Sequence, residues 1–308
     1  MSDLEAKLSA LAIERPSALT VGTFDGVHLG HRKLLSTLRD KAATDELLSV
    51  AITFRSQPRA LIDPSSAVTY LSTIDHRIDL IEQTGVSQVL PVDFDEDLRG
   101  LSADGFLEML KRASKAEMLV LGLGARLGHD RLDATAIAPI ASKHNIKLIE
   151  VAPEMMDGRV VSSSEIRRSL LDGDVSTAAR MLGRSYRLDG KVVPGDRRGR
   201  ELGFPTANIS PSGSQAIPCN GIYATLVRAG GERRMAATSI GVRPTFGGGA
   251  RLVEAYILDF SGDLYGQDVE LEFIQRLRGE VKFDGVDPLI QQMHRDVSEA
   301  REILSGAV

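Results

Sequence analysis

The feature that most constrains the fold is a change in the spacing of apolar residues beyond the middle of the chain. Up to about residue 183, short apolar runs alternate with segments in which apolar residues recur at helical spacing. After that point, Gly and Pro separate short runs in which apolar and polar residues alternate. A chain of 308 residues is also long for a single hydrophobic core. We therefore predict two domains, residues 1–183 and 184–308.

The first of these has the pattern of a parallel sheet covered by helices on both faces. Its five strand-like runs are residues 18–24, 47–54, 87–94, 117–124 and 146–153. Helical patterns at 31–43 and 75–85 lie between them. Strands that alternate with helices predict an α/β fold, because a parallel strand can be reached only through a crossover connection. A polar helix around residues 172–183 is expected to join the two domains.

The second domain is expected to be an antiparallel β-barrel. Its short runs, punctuated by turn residues, are 185–193, 221–227, 233–240, 252–258 and 268–274. A C-terminal helix follows, with Asp287 as the predicted cap and Pro288 in the first turn. Its predicted apolar stripe consists of Ile290, Met293, Val297, Ala300 and Leu304.

Composition narrows the class of protein. A formal net charge of −5 provides no basic surface, so nucleic acid is not an expected partner. The single cysteine, Cys219, excludes an internal disulfide and a cysteine metal cluster. No apolar run is long enough to cross a bilayer, and charged residues such as Glu5 and Lys7 interrupt the region of a signal peptide. We expect a cytoplasmic protein without a membrane partner; its oligomeric state is left open.

The segment DGVHLGH (25–31) follows the first predicted strand and opens a helix. Glycines such as Gly22 and Gly30 let the backbone approach a ligand, and Phe24 completes the predicted binding turn. His28 and His31, three residues apart, share one helix face beside the positive end of the helix dipole. This pattern predicts a binding site for the phosphates of ATP. A surface histidine pair or a zinc site is the alternative, although zinc on one helix favours i, i+4 spacing and needs further ligands.

A second helix start, SSSEIR (162–167), carries the spacing of a capping box between Ser162 and Glu165. Capping accounts for these two residues but does not require Arg167. A guanidinium group there could bridge a departing pyrophosphate through forked hydrogen bonds. The motif is weak alone and becomes informative beside the histidine pair.

The segment GDRRGRELGFPTANI (195–209) is the most specific in the sequence. Arginines and glycines are interleaved in a cationic loop suited to polyphosphate: Arg197, Arg198, Arg200, Gly195, Gly199 and Gly203. In an extended chain Thr206 and Asn208 face the same way, and their oxygens are suited to Mg²⁺. The alternative is an ordinary turn, since Pro, Thr and Asn are all common in turns.

Glu254 lies within the strand-like run LVEAYIL (252–258). One interpretation places it on the solvent face of an antiparallel sheet. The other makes it a general base that accepts a proton during phosphoryl transfer. The residues alone favour the solvent-facing interpretation.

The N-terminal motifs GTFDGVHLGHRKLL and VSSSEIR resemble those of the HxGH nucleotidyltransferases. More narrowly, they resemble the FAD synthetase half of the bacterial bifunctional riboflavin kinase/FAD synthetases. The resemblance implies a Rossmann-like domain in which His28 and His31 contact the phosphates of ATP. It also implies that Ser163 and Arg167 complete the transfer site.

The C-terminal motifs resemble the riboflavin kinase module of the same family; they are YRLDGKVVPGDRRGRELGFPTANI, NGIYA, SIGVRPTFGG, VEAYILDFSGDLYGQ and LRGEVKF. The resemblance implies that Thr206 and Asn208 hold Mg²⁺ and that Glu254 is the base acting on the ribityl 5′-hydroxyl. The loop 195–203, with Gly195, Arg200 and Gly203, would cover ATP. Thr245 and Arg278 would help to enclose the flavin.

The implied function is bifunctional: riboflavin and ATP give FMN, and FMN and ATP then give FAD and pyrophosphate. Three positions depart from the family pattern. Gly124 and Ala125 replace a polar residue and an aromatic residue after the fourth strand, and Gln57 replaces a histidine in the segment TFRSQP (53–58). They leave open the alternative of a monofunctional riboflavin kinase whose N-terminal domain is weakened or inactive.

Overall fold

The computed structural model of the chain describes residues 2–11, 14–57, 69–195, 199, 202–242 and 251–306. Its internal contacts divide the chain into two compact units. The first unit consists of Met1–Val68 and Ile74–Val161, and the second of Thr69–Thr73 and Ser162–Val308. The domain boundary at residue 183 stays a prediction. No helix among the described residues is both long and apolar enough to cross a membrane.

The first unit is a five-stranded parallel sheet flanked by helices. Its elements are α1 (Asp3–Ala10), β1 (Ser17–Gly22), α2 (Leu29–Thr44), β2 (Leu48–Phe54), α3 (Ile74–Glu82), β3 (Gln88–Val92), α4 (Glu96–Arg99), α5 (Ala103–Ser114), β4 (Ala116–Gly122), α6 (Ala134–Lys143) and β5 (Lys147–Val151). The strand order is β3-β2-β1-β4-β5, with every neighbouring pair parallel. The five predicted strands and the two predicted helices are confirmed.

Both faces of this sheet are buried, which explains why its strands read as continuous apolar runs. Successive residues of β1 point to opposite faces: Leu19 belongs to the core beneath α5 and α6, and Ala18 to the core beneath α2 and α3. The strand order reverses between β1 and β4, so the carboxyl end of β1 is the topological switch point where ligands bind in folds of this kind. A short hairpin that was not predicted, β6 (Met155–Met156) and β7 (Arg159–Val160), follows β5.

The second unit begins with two helices, α7 (Ser163–Asp172) and α8 (Val175–Leu182). The predicted polar helix at 172–183 is therefore wrong in its start, because Gly173 adopts a left-handed conformation with φ of 80° and ends α7. Contacts between α8 and the strands that follow explain why these helices group with the second unit.

A closed antiparallel barrel forms the body of this unit, and it confirms the predicted fold class. Its strands are β8 (Tyr186–Val193), β9 (Ala207–Pro211), β10 (Gly221–Ala229), β11 (Glu232–Val242), β12 (Arg251–Ile257) and β13 (Asp268–Arg278), in the order β10-β11-β12-β9-β8-β13. Closure leaves no strand edge unpaired. The sequence predicted all of these strands except β9, whose five residues end in a proline and are too few to show a pattern.

The chain closes with helix α9 (Val286–Leu304) on the barrel surface. Ala300 and Leu304 are buried against β10, which confirms the predicted apolar stripe. The predicted cap is wrong: Asp287 lies inside the first turn, and Gly285 occupies the cap position without a side-chain hydrogen bond. Asp287 can still interact favourably with the helix dipole from that turn.

Residues Thr69–Thr73 belong to the second unit, although residues of the first unit flank them in sequence. The backbone N–H of Tyr70 donates to Ser214 at 2.8 Å, and the N–H of Ala216 donates to Tyr70 at 2.8 Å. The hydroxyl of Thr73 donates to the carboxylate of Asp189 at 3.1 Å. This segment is therefore part of the second unit's hydrogen-bonded framework.

Candidate functional site

In the first unit, the loop between β1 and α2 is a tight turn at the switch point. Phe24, Gly26 and Val27 all have positive φ angles, of 49°, 77° and 38°. The N–H of Val27 donates to the carbonyl of Phe24 at 2.9 Å, which closes the turn. Left-handed backbone is strained for a β-branched residue, so this conformation persists only because the buried side chains of Phe24 and Val27 and their surroundings hold it.

The turn delivers His28 and His31 to the start of α2. His28 is the N-cap residue, and its Nδ1 accepts the backbone N–H of His31 at 3.3 Å. The two imidazole rings stack with centroids 3.6 Å apart, and the ring of Phe24 meets His31 edge-on at 5.3 Å. The rings therefore share one face of the helix, as the spacing predicted. Because His28 accepts at Nδ1, a proton on its ring belongs on Nε2.

Gly30, between the two histidines, has little room for a side chain. A Cβ there would lie 3.2 Å from the Nδ1 of His28 and 3.4 Å from the carbonyl of Val161. Any larger residue would press on the His28 ring. Gly22 is the last residue of β1, and a Cβ added there would lie 3.3 Å from the ring of Phe24. Both glycines therefore fix the shape of the predicted binding turn.

Burial lowers the pKa of His31 well below its ordinary value, and the nearby His28 and Arg77 lower it further. His31 is thus neutral at pH 7. Its Nδ1 is buried and has no hydrogen-bond partner among the residues that the structure describes. Negative charge arriving nearby would raise this pKa again.

Sequence reasoning missed Asp25 and Arg77. Both are almost fully buried, with a guanidinium nitrogen of Arg77 3.8 Å from a carboxylate oxygen of Asp25. A signal was present, because Arg77 precedes Leu80 and Ile81 by three and four residues and so falls on the apolar stripe of α3. A charged residue on such a stripe is rarely buried unless it is paired.

Ser163 and Arg167 lie on α7 in the second unit. The capping interaction is confirmed, since the hydroxyl of Ser162 accepts the N–H of Glu165 at 3.3 Å. The Nε of Arg167 donates to the carbonyl of Thr69 at 2.8 Å, in the segment that joins this unit from earlier in the chain. Contact of Ser163 and Arg167 with pyrophosphate stays a prediction.

In the barrel, Asn208 on β9 lies directly opposite Glu254 on β12 in the strand register. Thr206 immediately precedes β9, two residues from Asn208. Thr206 and Glu254 line one cavity of about 350 Å³ together with Leu252, Tyr256, Arg278, Met293, Asp296 and Val297. The hydroxyl, amide and carboxylate that the sequence singled out are therefore neighbours. Glu254 lines this cavity, and its role as a general base stays a prediction.

A second cavity, of about 500 Å³, adjoins Thr206 from another side. Its lining includes Val192, Ala207, Ile257, Phe260, Leu264 and Tyr265. Thr206 contributes to both cavities. Two pockets that share Thr206 in their lining can hold two ligands with their reacting ends close together.

Two glycines that precede β9 lie close to the Thr206–Asn208 segment. A Cβ on Gly195 would lie 2.1 Å from the amide nitrogen of Asn208, and one on Gly199 would lie 2.4 Å from the carbonyl of Phe204. Gly203 has a φ of 85°, which also favours glycine. Four residues of predicted sites, Arg197, Arg198, Arg200 and Thr245, lie outside the described residues.

Arg278 lines the smaller cavity, where it was predicted to help enclose a flavin, and it forms a forked ion pair with Asp296 of α9. The two contacts measure 2.8 and 2.6 Å, and Gln292 donates to the same carboxylate at 2.9 Å. Sequence reasoning missed Asp296, which is buried on the helix face that also carries Met293 and Ala300. This pair fixes α9 beside the cavity.

Comparison with known proteins agrees with both halves of the sequence interpretation. The family model described as FAD synthetase matches residues 11–165, and the one described as riboflavin kinase matches residues 182–304. A bifunctional riboflavin kinase/FMN adenylyltransferase from Haemophilus influenzae is 37% identical over 292 residues, which cover 94% of each chain. This chain belongs to that family. The family resemblance inferred from the motifs is confirmed, and the presence of both matched regions favours the bifunctional interpretation over a kinase alone.

Other members of the family and one solved structure extend the likeness over nearly the whole chain. The Escherichia coli K12 protein of the same description is 32% identical over 287 residues, covering 92% of this chain and 91% of its own. A crystal structure described as a macrolide-efflux protein from Streptococcus pneumoniae superposes with a TM-score of 0.86 at 30% identity, covering 93% of this chain and 94% of that one. The fold of both units is thus shared with an experimental structure.

We expect Asp296→Ala to lower the free energy of unfolding of the second unit by about 3 kcal/mol, because it leaves the partly buried guanidinium of Arg278 without its partner. The matched control is Asp259→Ala, which removes the forked but exposed pair of Asp259 and Arg301 at the far end of α9. Its loss should be much smaller, because solvent screens that pair. Urea denaturation followed by circular dichroism measures both, and equal losses would contradict the assigned role of Asp296.

Proposed function

We propose that this protein phosphorylates riboflavin with ATP to give FMN, and then transfers the adenylyl group of a second ATP to FMN to give FAD and pyrophosphate. Membership of the family over both halves of the chain supports the two activities. The observation that carries the kinase assignment is the meeting of two cavities at Thr206, with Glu254 opposite Asn208. The cytoplasmic location stays a prediction.

In the kinase reaction, ATP would occupy the larger cavity and riboflavin the smaller one. Apolar residues such as Leu252, Met293 and Val297 suit the flavin ring, and Val192, Ile257 and Leu264 suit the base of the nucleotide. Both reacting groups would then approach Thr206. Phosphoryl transfer depends mainly on such positioning and on the neutralisation of charge, so few catalytic side chains are required.

Thr206 and Asn208 would hold Mg²⁺ through their side-chain oxygens. The donors fit a magnesium ion that takes most of its ligands from water and phosphate, and Gly195 lies so near that a Cβ there would be 2.1 Å from the amide nitrogen of Asn208. When bound, the ion would neutralise charge on the transferred phosphoryl group. Glu254 would accept the proton of the ribityl 5′-hydroxyl. The hydroxyl oxygen would at the same time bond to the γ-phosphorus, and ADP would leave.

In the adenylyl transfer reaction, the phosphate of FMN would attack the α-phosphorus of ATP, and pyrophosphate would leave. No protein nucleophile is needed. The stacked imidazoles of His28 and His31 at the N-terminus of α2 support contact with the phosphates. Because His31 is neutral without a ligand, the arriving negative charge would favour its protonation and strengthen the contact in the transition state.

The test of the proposed function is chromatography of the products formed from riboflavin, ATP and Mg²⁺ over time. FMN should appear first and FAD afterwards. A reaction that stops at FMN would remove the second activity, and supplying FMN and ATP directly would check this through the release of pyrophosphate. Absence of FMN would remove the first activity.

We expect Glu254→Gln to lower kcat for riboflavin phosphorylation by about 100-fold or more, because the amide cannot accept the hydroxyl proton. The dissociation constant for riboflavin, from flavin fluorescence, should change by less than about threefold, since the amide keeps the shape of the side chain. Glu270→Gln on β13 is the matched control and should leave kcat unchanged, because Glu270 pairs with Arg187 and Arg228 away from both cavities. Parallel losses of binding and turnover would mean that Glu254 is not the base.

Gly195→Ala should lower kcat for FMN formation by about 100-fold, because its methyl group would displace the side chain of Asn208. FAD formation from supplied FMN is measured on the same sample. Gly306→Ala, where no atom lies within 4 Å of the new methyl, serves as the control and should match the parent protein. Normal kinase turnover in Gly195→Ala would argue against metal binding by Asn208.

The double change Gly124→Asn and Ala125→Phe should raise the turnover of FAD formation, because it restores a hydrogen-bonding side chain and a stacking surface after β4. The backbone at Gly124 has a φ of 83°, which Asn tolerates better than most residues, and no atom lies within 4 Å of its added Cβ. Pyrophosphate release with FMN and ATP measures the effect. No gain would show that these positions do not limit the reaction.

A further inference from the structure

Arg77 and Asp25 form a buried ion pair that the proposed chemistry does not use directly. The side chains are only 1% and 3% exposed, and their closest charged atoms are 3.8 Å apart. Removing two charges from water is costly, and well-packed apolar residues could fill the same space without that cost. A buried charge pair at this place therefore suggests a task beyond stability.

The contacts of Arg77 identify what it holds together. One guanidinium nitrogen donates to the carbonyl of Phe54, the last residue of β2, at 2.7 Å. Another approaches Asp25, in the middle of the left-handed turn from Phe24 to Val27. Arg77 thus links the end of β2 to the strained turn from which α2 and its two histidines start.

The charge of Arg77 also reaches His31. It is one of the two groups, with His28, whose electrostatic effect adds to burial in lowering the pKa of His31. His28 acts from the start of the same helix and Arg77 from α3, and Asp25 on the turn is the charged partner of Arg77. A fixed cation next to a neutral imidazole is an environment in which an incoming phosphate is favourable.

We propose that Arg77 is a positioning residue for adenylyl transfer: it fixes the Phe24–Val27 turn through Asp25 and Phe54, and so sets the placement of His28 and His31. The inference rests on the proposed FMN adenylyltransferase activity. Arg77 acts on the histidines through the turn, which it holds at Asp25 and Phe54, and through its charge. The residue falls on α3, far in sequence from the histidine motif that it supports.

The test compares Arg77→Met, Arg77→Lys and the double change Asp25→Asn with Arg77→Met in the full chain. FAD formation from FMN and ATP gives kcat and KM, and thermal unfolding followed by circular dichroism checks that the first unit, which contains Arg77, is folded in each variant. The protonation of His31 is followed by NMR of ¹³C-labelled histidine, with the signal assigned by its absence in His31→Gln. Arg39→Met on α2 is the matched control, because Arg39 also donates to a backbone carbonyl, that of Thr84, but lies exposed.

In Arg77→Met we expect kcat for FAD formation to fall by about 10- to 100-fold, with a smaller change in KM for ATP. The pKa of His31 should rise toward its ordinary value, because a nearby positive charge has gone. Arg77→Lys should keep that pKa low and lose less kcat, since it retains the charge but not the forked geometry. Arg39→Met should change neither quantity.

The double variant decides the matter if Arg77→Met alone does not fold, because it leaves no unpaired carboxylate at Asp25. Wild-type kcat and an unchanged His31 titration in either folded variant would overturn the proposal. If both fail to fold, wild-type kcat in Arg77→Lys would overturn it, and a reduced kcat there would support it. Absence of FAD formation by the unaltered protein would instead defeat the proposed function, while the His31 titration in Arg77→Met would still test the coupling.

Discussion

The pairing of β9 with β12 is the interaction on which the second unit's chemistry depends. β9 has only five residues, yet it closes the barrel by joining β12 on one side and β8 on the other. Its register places Asn208 opposite Glu254. A slip of one residue would turn every side chain of β9 to the other face, so the same hydrogen bonds that close the barrel also bring together an amide and a carboxylate. Fold and proposed metal site are therefore set by one register.

In the first unit a strained backbone turn brings the site residues together, as the strand register does in the second unit. The change in strand order beside β1 creates a crevice, and a left-handed turn directs the chain from that strand into α2. His28 then has two tasks, because its Nδ1 caps the helix while its ring stacks on that of His31. Using a histidine as the cap helps to fix the orientation of the ring. The cost of the strained turn is offset by its buried side chains and, in our proposal, by Arg77.

Most of the architecture could be predicted from the sequence, because the five parallel strands and five of the six barrel strands have apolar patterns long enough to read. β9 could not, since its role comes from partners distant in the chain and its own five residues have little pattern. The cap of α9 was misassigned for a local reason: Asp287 is a favourable residue in the first turn as well as at the cap. The helix boundary at Gly173 depends on a left-handed glycine, which sequence spacing does not reveal.

The site was predictable where a motif carries its own chemistry, as in the histidine pair and the Thr206–Asn208 segment. Asp296 and Arg77 were missed because each interrupts an apolar stripe, which reads as a weaker helix and not as a buried ion pair. Their partners, Arg278 and Asp25, lie on other elements, so only coordinates reveal the pairing. In both units the overlooked residue is a buried charge that supports a motif found elsewhere in the chain.

The place of Thr69–Thr73 in the second unit has a consequence for dissecting the protein. Cleavage of the chain at any one peptide bond between the two large segments would leave these five residues attached to the wrong fragment. An isolated C-terminal piece would then expose the carbonyl of Ser214 and the N–H of Ala216, which Tyr70 satisfies in the intact chain. The units are compact in space but interleaved in sequence, so excising either one requires rejoining the chain and not merely shortening it.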